Sequence, residues 1–388
     1  AFYLTIAGGG AAGGALVSLA APLLTTSLTE YLFGLLLVAS AAALKPRAGD
    51  WRKRELLGLL AVVPVLGWPL GSSLPGAAPP FLVAAAAGIG LAIIYYALQG
   101  RARAAALSLA AVIGATFILD YLRLDAQLIH RSRNHYGIYR VYDQDGKRWL
   151  RHGATLHGSQ YLDPDRQSLP LMYYHPSAPA GQLLSSPRFE FEEIAVVGLG
   201  AGSLAMFAKP GSRMDFYELD PDNLAVARDY FTYLARSRGE LGFIIGDGRL
   251  SLARTAARYD LIVMDAFSSD SIPVHLLTVE AIALYRARLK TGGLLLFHIS
   301  NRHLDLAPPL AANAFALGMI PLYKTNAYDP HPDAGPCEWM VMTDDAAAAA
   351  LLAGALNWSE LLPGGAGRTA APWTDRYSNL LSAIRFRQ

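Results

Sequence analysis

A single cysteine, Cys337, occurs in the 388 residues. No intrachain disulfide and no cysteine-ligated zinc site can form, and nothing around Cys337 marks it as a nucleophile. Nine histidines are scattered without a His-x-x-x-His or His-Glu-x-x-His pair, so the helical spacing that grips a catalytic metal is missing and no metal is expected. Charged residues make up only 16% of the chain, 33 basic against 31 acidic, for a formal charge of +2. The basic clusters sit beside apolar runs, which suits membrane orientation and gives no footing for nucleic acid.

Apolar sequence is what the chain has in excess. At 53% hydrophobic residues and a mean hydropathy of +0.27 it is too apolar for an ordinary soluble protein of this length. The excess lies at the front. Phe2 to Leu24, Tyr31 to Leu44, Leu56 to Leu70, Phe81 to Leu98 and Ala104 to Leu122 are apolar runs with polar or proline-rich breaks between them. Three or more are long enough for a bilayer core of about 30 Å. Residues 1–122 are therefore expected to form a transmembrane helical bundle of about five segments, multi-pass in the inner membrane, with lipid as a partner. Leu56 to Leu70, broken by Pro64, Trp68 and Pro69, reads as a span, a kinked span or a re-entrant hairpin. The glycines Gly8, Gly9, Gly10, Gly13 and Gly14 would let helices approach closely, which points to packing. Glu30, the acid of the first two segments, falls at a helix end and argues against transport. The chain opens on Ala1 inside an apolar run, as expected if sequence precedes it, and five segments exclude a simple cleaved signal peptide.

Behind this region the period changes. Asn134 to Arg151 alternates apolar and polar residues across Asp143-Gln-Asp-Gly146, the pattern of a β-hairpin. Residues 131–187 are expected to form a small β-rich subdomain, with Ala178 to Pro187 as the link onward. Over residues 188–388 strands alternate with helical stretches such as Asp222 to Ala235, Val274 to Leu289 and the alanine-rich Ala346 to Leu356. The fold class is α/β, a Rossmann-like doubly wound sheet that is mostly parallel.

Ile194 to Asp220 carries the first functional signal. Ile-Ala-Val-Val-Gly-Leu-Gly-Ala-Gly-Ser is a strand, a glycine-rich turn at Gly198, Gly200 and Gly202, and a helix start; a second strand then ends in Glu218. Glycines at such a turn admit a ligand close to the backbone, and an acid about 20 residues on can accept both hydroxyls of a ribose. A further short strand ends at Asp247-Gly248, where a carboxylate can accept from an adenine amine, and another ends at Asp265. Acids after three successive strands, followed by Leu289-Lys-Thr-Gly-Gly293 and the strand Leu294 to His298, favour S-adenosylmethionine over a dinucleotide.

Longer motifs sharpen this. Asp265-Ala-Phe-Ser-Ser-Asp270, with Thr278-Val-Glu280 after it, His298-Ile-Ser-Asn-Arg-His-Leu-Asp305 and Trp373-Thr-Asp-Arg-Tyr-Ser-Asn379 resemble the membrane-anchored spermidine synthase-like proteins of the polyamine aminopropyltransferase family. Tyr136-Gly-Ile-Tyr-Arg-Val-Tyr, Gly153 to Gln160 and Tyr173-Tyr-His175 are similar to the β-rich segment that precedes the nucleotide-binding core in those enzymes. The resemblance spans roughly residues 131 to 388, and its motifs are specific only together.

The resemblance implies a reaction at a sulfonium centre. The leaving thioether is neutral, so the site needs alignment and a base for the incoming amine rather than a leaving-group acid. Asp265 is the expected base, although an Asp before Ala-Phe-Ser-Ser also suits a loop cap. Asp270 falls in the gate-like loop, where the family's paired acids lie closer together. Gln160, Tyr174 and His175 match positions that face the acceptor or cofactor, and each also suits ordinary packing or a turn; His157 and Trp373 are similarly ambiguous. Soluble aminopropyltransferases carry an acid where this chain has Ala201, so both intact and decarboxylated S-adenosylmethionine stay open as donors.

The expected function is transfer of an aminopropyl or related alkyl group to an amine such as a polyamine, with release of methylthioadenosine. Lyase- or cyclase-type breakdown of the donor, methyl transfer, and a non-enzymatic sensor or transporter are the alternatives. Homo-oligomerisation is open. Supply of the donor places the catalytic body in the cytoplasm, whereas the basic loops at Lys45 to Arg54 and at Arg101 and Arg103 favour the other side.

Overall fold

The computed structural model describes residues 2–24, 128–153, 155–266, 273–327, 331–363 and 370–385. The chain divides into two compact units. One holds the amino-terminal helix, and the other holds Ile129–Ser132 and the chain from Tyr136 on.

The amino-terminal unit shows an α-helix Phe2–Ala15, a π-helical turn Leu16–Ala20 and a last α turn Ala21–Leu24. The wide turn ends just before Pro22, whose ring lacks the N–H that would close a turn on Ser18. Phe2–Ala20 has a mean hydropathy of 1.4 over 19 residues and buries none of that window, so it is long and apolar enough to cross a membrane. Among the described residues it is the one helix with that length and composition, which falls short of the expected bundle. The four later apolar segments, Tyr31 to Leu122, lie outside the described residues.

The second unit contains two sheets. The first has the order β1-β2-β3-β4, from β1 (Leu128–Arg133), β2 (Ile138–Gln144), β3 (Lys147–His152) and β4 (Thr155–Tyr161). β2 and β3 form the expected hairpin. Asp145 and Gly146 both take positive φ, +53° and +71°, which gives the two-residue turn whose twist matches that of the strands.

The second sheet has eight strands in the order β12-β10-β11-β9-β8-β5-β6-β7. Its parallel half consists of β5 (Glu193–Val197), β6 (Arg213–Glu218), β7 (Glu240–Ile245), β8 (Tyr259–Met264) and β9 (Leu289–His298). β10 (Ile320–Thr325), β11 (Glu338–Thr343) and β12 (Ser359–Glu360) add on antiparallel, so the sheet is mixed. Alternate residues of one strand enter opposite cores: Ile194 and Val196 join one apolar cluster, Ala195 and Val197 the other. Burial on both faces is why β5 and β8 read as nearly continuous apolar runs.

Helix ends follow side-chain chemistry. Ala346–Leu356 has the expected bounds, because Asp345 accepts from Ala347 N–H at 2.8 Å and Asn357 closes the end with φ +55°. The stretch expected to run from Asp222 to Ala235 is instead a helix over Pro221–Tyr230. It stops there because Thr232 N–H donates to Gln160 Oε1 at 3.0 Å rather than back into the helix. Likewise Val274 to Leu289 breaks into a turn Val274–Leu276 and a helix Val279–Arg286, since the hydroxyl of Thr278 caps Ala281 N–H.

Candidate active site

Strand order reverses between β5 and β8, which opens a crevice at their carboxyl ends. The glycine-rich turn lies there. Gly198 has φ +100° and a Cβ would collide with the Asp265 carbonyl; Gly200 has φ +54° and a Cβ would collide with the His157 carbonyl. The two glycines therefore let the turn close on β8 and on the smaller sheet at once. The expected helix start after Gly202 is a short 3-10 helix, Ser203–Phe207, rather than a longer helix. Pro210 and Gly211 follow too soon for one to grow, as proline disfavours helix before it and Gly211 turns with φ +87°.

Glu218 closes the crevice from β6. Leu199 N–H and Asn223 Nδ2 donate to its Oε2 at 3.0 and 2.9 Å, and Asp220 N–H donates to Oε1 at 2.9 Å. Burial pushes its carboxyl above the usual range, and these three donors partly offset that. Each carboxylate oxygen accepts about two donors, so Oε1 keeps room for a ligand hydroxyl. Asp247 caps the helix Gly248–Arg254 through Leu250 N–H at 2.8 Å, with His275 Nε2 3.3 Å from its other oxygen. Gly248 is buried where a Cβ would run into Val197.

Asp265 follows the last residue of β8, one rung beyond the parallel pair Met264 and Phe297, and this places it beside His298 at the end of β9. His298 Nδ1 and Asp265 Oδ1 are 2.7 Å apart, and His298 Nε2 is 2.7 Å from Ser300 Oγ. The side chains of His298 and Asp265 are only 5% and 11% exposed. Burial raises the Asp265 carboxyl, and the His298 hydrogen bond and charge pull against it. Antiparallel pairing of His298 with Trp339 stacks the indole on one face of the imidazole at 4.4 Å, and Tyr173 packs on it, also at 4.4 Å. Burial, then the nearby Asp265 charge, push the Tyr173 phenol well above its ordinary value, so it stays a neutral donor. Asp265, His298, Ser300, Tyr173, Gly200 and His157 all line one cavity of about 400 Å³.

The other expected residues are placed differently. Gln160 is buried, its amide donating to Gln167 O and Thr232 Oγ1 at 2.9 and 2.8 Å, so it ties the smaller sheet to the segment after the Pro221–Tyr230 helix. Tyr174 is in the core against Trp339, and its neighbour Tyr173 reaches the cavity instead. His175 is buried and stacked on His331 at 4.4 Å, outside the cavity lining. Trp373 is buried, its backbone N–H donating to Asn313 Oδ1. Asp270 lies outside the described residues. Ala201 is 1% exposed and pressed against Gly158 in a cluster with Tyr139, Val141 and Leu150. A carboxylate there would be buried among apolar groups, so donor preference is better measured on the wild type than on an Ala201 variant.

His175, His331 and Asp333 bring ligand-type atoms within 4.8 Å of one another. Lys147 and Tyr161 donate to Asp333 Oδ1 at 3.0 and 2.5 Å, and Arg166 to Oδ2 at 3.3 Å. Two cations already answer that carboxylate, and near-parallel stacked imidazoles cannot both aim in-plane lone pairs at one ion.

No protein-family model matches the chain. Over 178 residues, 43% of this chain, it is 30% identical to the polyamine aminopropyltransferase of Vibrio vulnificus. The similarity is to an aminopropyltransferase. Over 106 residues, 25% of this chain, it is 38% identical to the eEF1A lysine and N-terminal methyltransferase of Mus musculus. Among solved structures, a probable spermidine synthase from Corynebacterium glutamicum aligns with 64% of this chain and 98% of that one, at 16% identity and a TM-score of 0.49. The chain spans 58% of the length of the Vibrio relative and 15% of the mouse one.

In this aminopropyltransferase-like body Asp375 acquires a physical role that its motif alone did not reveal. It accepts from both guanidinium nitrogens of Arg249 at 2.8 and 2.6 Å and from Thr278 Oγ1 at 2.7 Å, pinning the carboxyl-terminal segment to the helix that follows Asp247. Those hydrogen bonds, Arg249 foremost, hold its carboxyl down at about 2. A depressed value contributes stability above the unfolded value of about 3.9, lost as pH falls through the folded one. Between about pH 4 and pH 2 the melting temperature of the wild type should therefore fall more steeply than that of Asp375→Asn. Parallel melting curves would show that Asp375 contributes nothing here.

Proposed function

We propose that this chain is a membrane-tethered transferase that moves an aminopropyl or related alkyl group from a sulfonium donor to an amine and releases methylthioadenosine. The observation that carries the proposal is the meeting of Gly200 and Asp265 on one cavity at the β5–β8 switch point. A nucleoside held by Glu218 and the turn Gly198 to Gly202, with Asp247 and Gly248 beside the adenine, directs its sulfonium substituent toward Asp265. There the carboxylate supplies the negative charge that lets the acceptor ammonium lose its proton. Burial raises the Asp265 carboxyl above the usual carboxylate range, which strengthens it as a base. The neutral Tyr173 hydroxyl can orient an amine but cannot deprotonate it.

The donor is S-adenosylmethionine or its decarboxylated form, and no metal takes part in the scheme. The acceptor is a small amine such as a polyamine. Phe2–Ala20 tethers the chain to lipid, and the catalytic body faces the cytoplasm, where the donor is made. A second reading, breakdown of intact donor without an acceptor, follows from the sequence departure at Ala201, although the structure buries that side chain against Gly158.

Product analysis separates these readings. The chain incubated with each donor, with and without diamines, is expected to yield methylthioadenosine together with an alkylated amine. Methylthioadenosine without an alkylated product would support donor breakdown, and S-adenosylhomocysteine would overturn both in favour of methyl transfer.

A further inference from the structure

Along the wall of the cavity a line of polar atoms runs from Ser300 through His298 to Asp265, and Ser300 and His298 have no role yet in the transferase reading. Its donors and acceptors can be assigned throughout. With Asp265 ionised and the imidazole neutral, the carboxylate accepts only, so His298 Nδ1 carries the proton and Nε2 is the acceptor. Glu338 N–H donates to Ser300 Oγ at 2.9 Å, so the hydroxyl proton must go elsewhere. His298 Nε2 at 2.7 Å is a far better acceptor than the Glu338 carbonyl at 3.5 Å. The chain therefore points one way, Ser300 O–H to His298 to Asp265.

We propose that Ser300 and His298 form with Asp265 a proton relay, through which the acceptor amine passes its proton to Ser300 Oγ while the Ser300 hydroxyl proton moves to His298 Nε2. This rests on the transferase reading. As the new C–N bond forms and the C–S bond breaks, the thioether leaves with the sulfur electron pair, and the proton released from nitrogen ends on His298. The product state in the wall is an imidazolium facing the Asp265 carboxylate. Its surroundings suit a transient cation: Trp339 and Tyr173 rings pack on the imidazole, where ring quadrupoles favour positive charge.

Among the described residues, the other ionisable groups around the ring do not compete. Glu338 is committed to Arg385 through both oxygens, Cys337 is pushed up to about 12 by burial, and Tyr173 stays neutral. Arg302 is exposed at the cavity edge. Ser300 Oγ, already accepting from Glu338 N–H and donating to His298, acts as a conduit rather than as a nucleophile.

Steady-state kinetics on the full chain, with decarboxylated S-adenosylmethionine and a diamine, test this beside nitrogen-15 histidine NMR. Ser300→Ala and His298→Gln are expected to lower kcat at least about 10-fold, with donor KM unchanged. The pH profile of kcat should differ between His298→Gln and the wild type. The NMR arm does not need turnover: His298 should be the Nδ1–H tautomer, with that proton's resonance moving upfield in Asp265→Asn, where the acceptor is a neutral amide oxygen. Wild-type kcat and pH profile in both His298→Gln and Ser300→Ala would overturn the relay while leaving the transferase reading intact. An Nε2–H tautomer, or phosphonylation of Ser300 by a fluorophosphonate, would overturn it too. Absence of any alkylated amine from the wild type would remove the transferase reading itself, and the relay with it.

Discussion

The Asp265→Asn variant is expected to turn over at least about 100-fold more slowly than the wild type while binding the nucleoside equally well. Asparagine is nearly isosteric, and its amide oxygen can still accept from His298 Nδ1, so the wall of the cavity keeps its shape. What disappears is the negative charge that receives or stabilises the amine's proton. The stability effect should run the other way. Burial raises the folded-state carboxyl, so its contribution to stability is present below the unfolded value and is lost as pH rises through the folded one. At neutral pH, Asp265→Asn should therefore melt no lower than the wild type. Rapid kinetics and calorimetry together check both halves. Undiminished turnover would make Asp265 a loop cap, the plainer role its sequence context also suits.

Glu218→Gln has the complementary signature. A carboxylate accepting from a ribose hydroxyl is a charge-assisted hydrogen bond, and losing the charge while adding a donor should weaken methylthioadenosine and S-adenosylmethionine binding by about 10- to 100-fold. Turnover at saturating donor should stay close to that of the wild type. The variant retains one oxygen to accept from Leu199 and Asn223, so the turn stays anchored. Calorimetry with methylthioadenosine measures the loss directly. Equal binding by the variant would remove Glu218 from the nucleoside site, and comparable binding of a dinucleotide by the wild type would reassign the crevice.

Local sequence carried the parallel strands and their ends. β5 and β8 are buried on both faces and so appear as apolar runs, and β6, β7 and β8 each have an acid, Glu218, Asp247 and Asp265, at or just after the carboxyl end. The Asp145-Gly146 turn and the Asp345 cap were equally local. The wall of the site was not. Trp339 arrives on an antiparallel strand more than thirty residues after His298, and only sheet register brings the two rings together. Tyr173 and Tyr174 are adjacent in a 3-10 turn, where neighbours point about 120° apart, and nothing in the pair says which one faces the cavity. Gln160 resembled a site residue because of its motif, but its amide terminates a helix 70 residues away. Asp270 and the later apolar segments lie outside the described residues, and their roles rest on motif and hydropathy.

The central claim is that a sulfonium nucleoside occupies the crevice between β5 and β8 with its reactive side toward Asp265. A crystal structure of the chain with methylthioadenosine and a diamine tests it most directly. The account predicts ribose hydroxyls on Glu218, the thioether beside Gly200, and an amine nitrogen within hydrogen-bonding reach of Asp265 or Ser300. Nucleoside bound away from Glu218, or an amine lodged on the far side of the cavity from both Asp265 and Ser300, would contradict it.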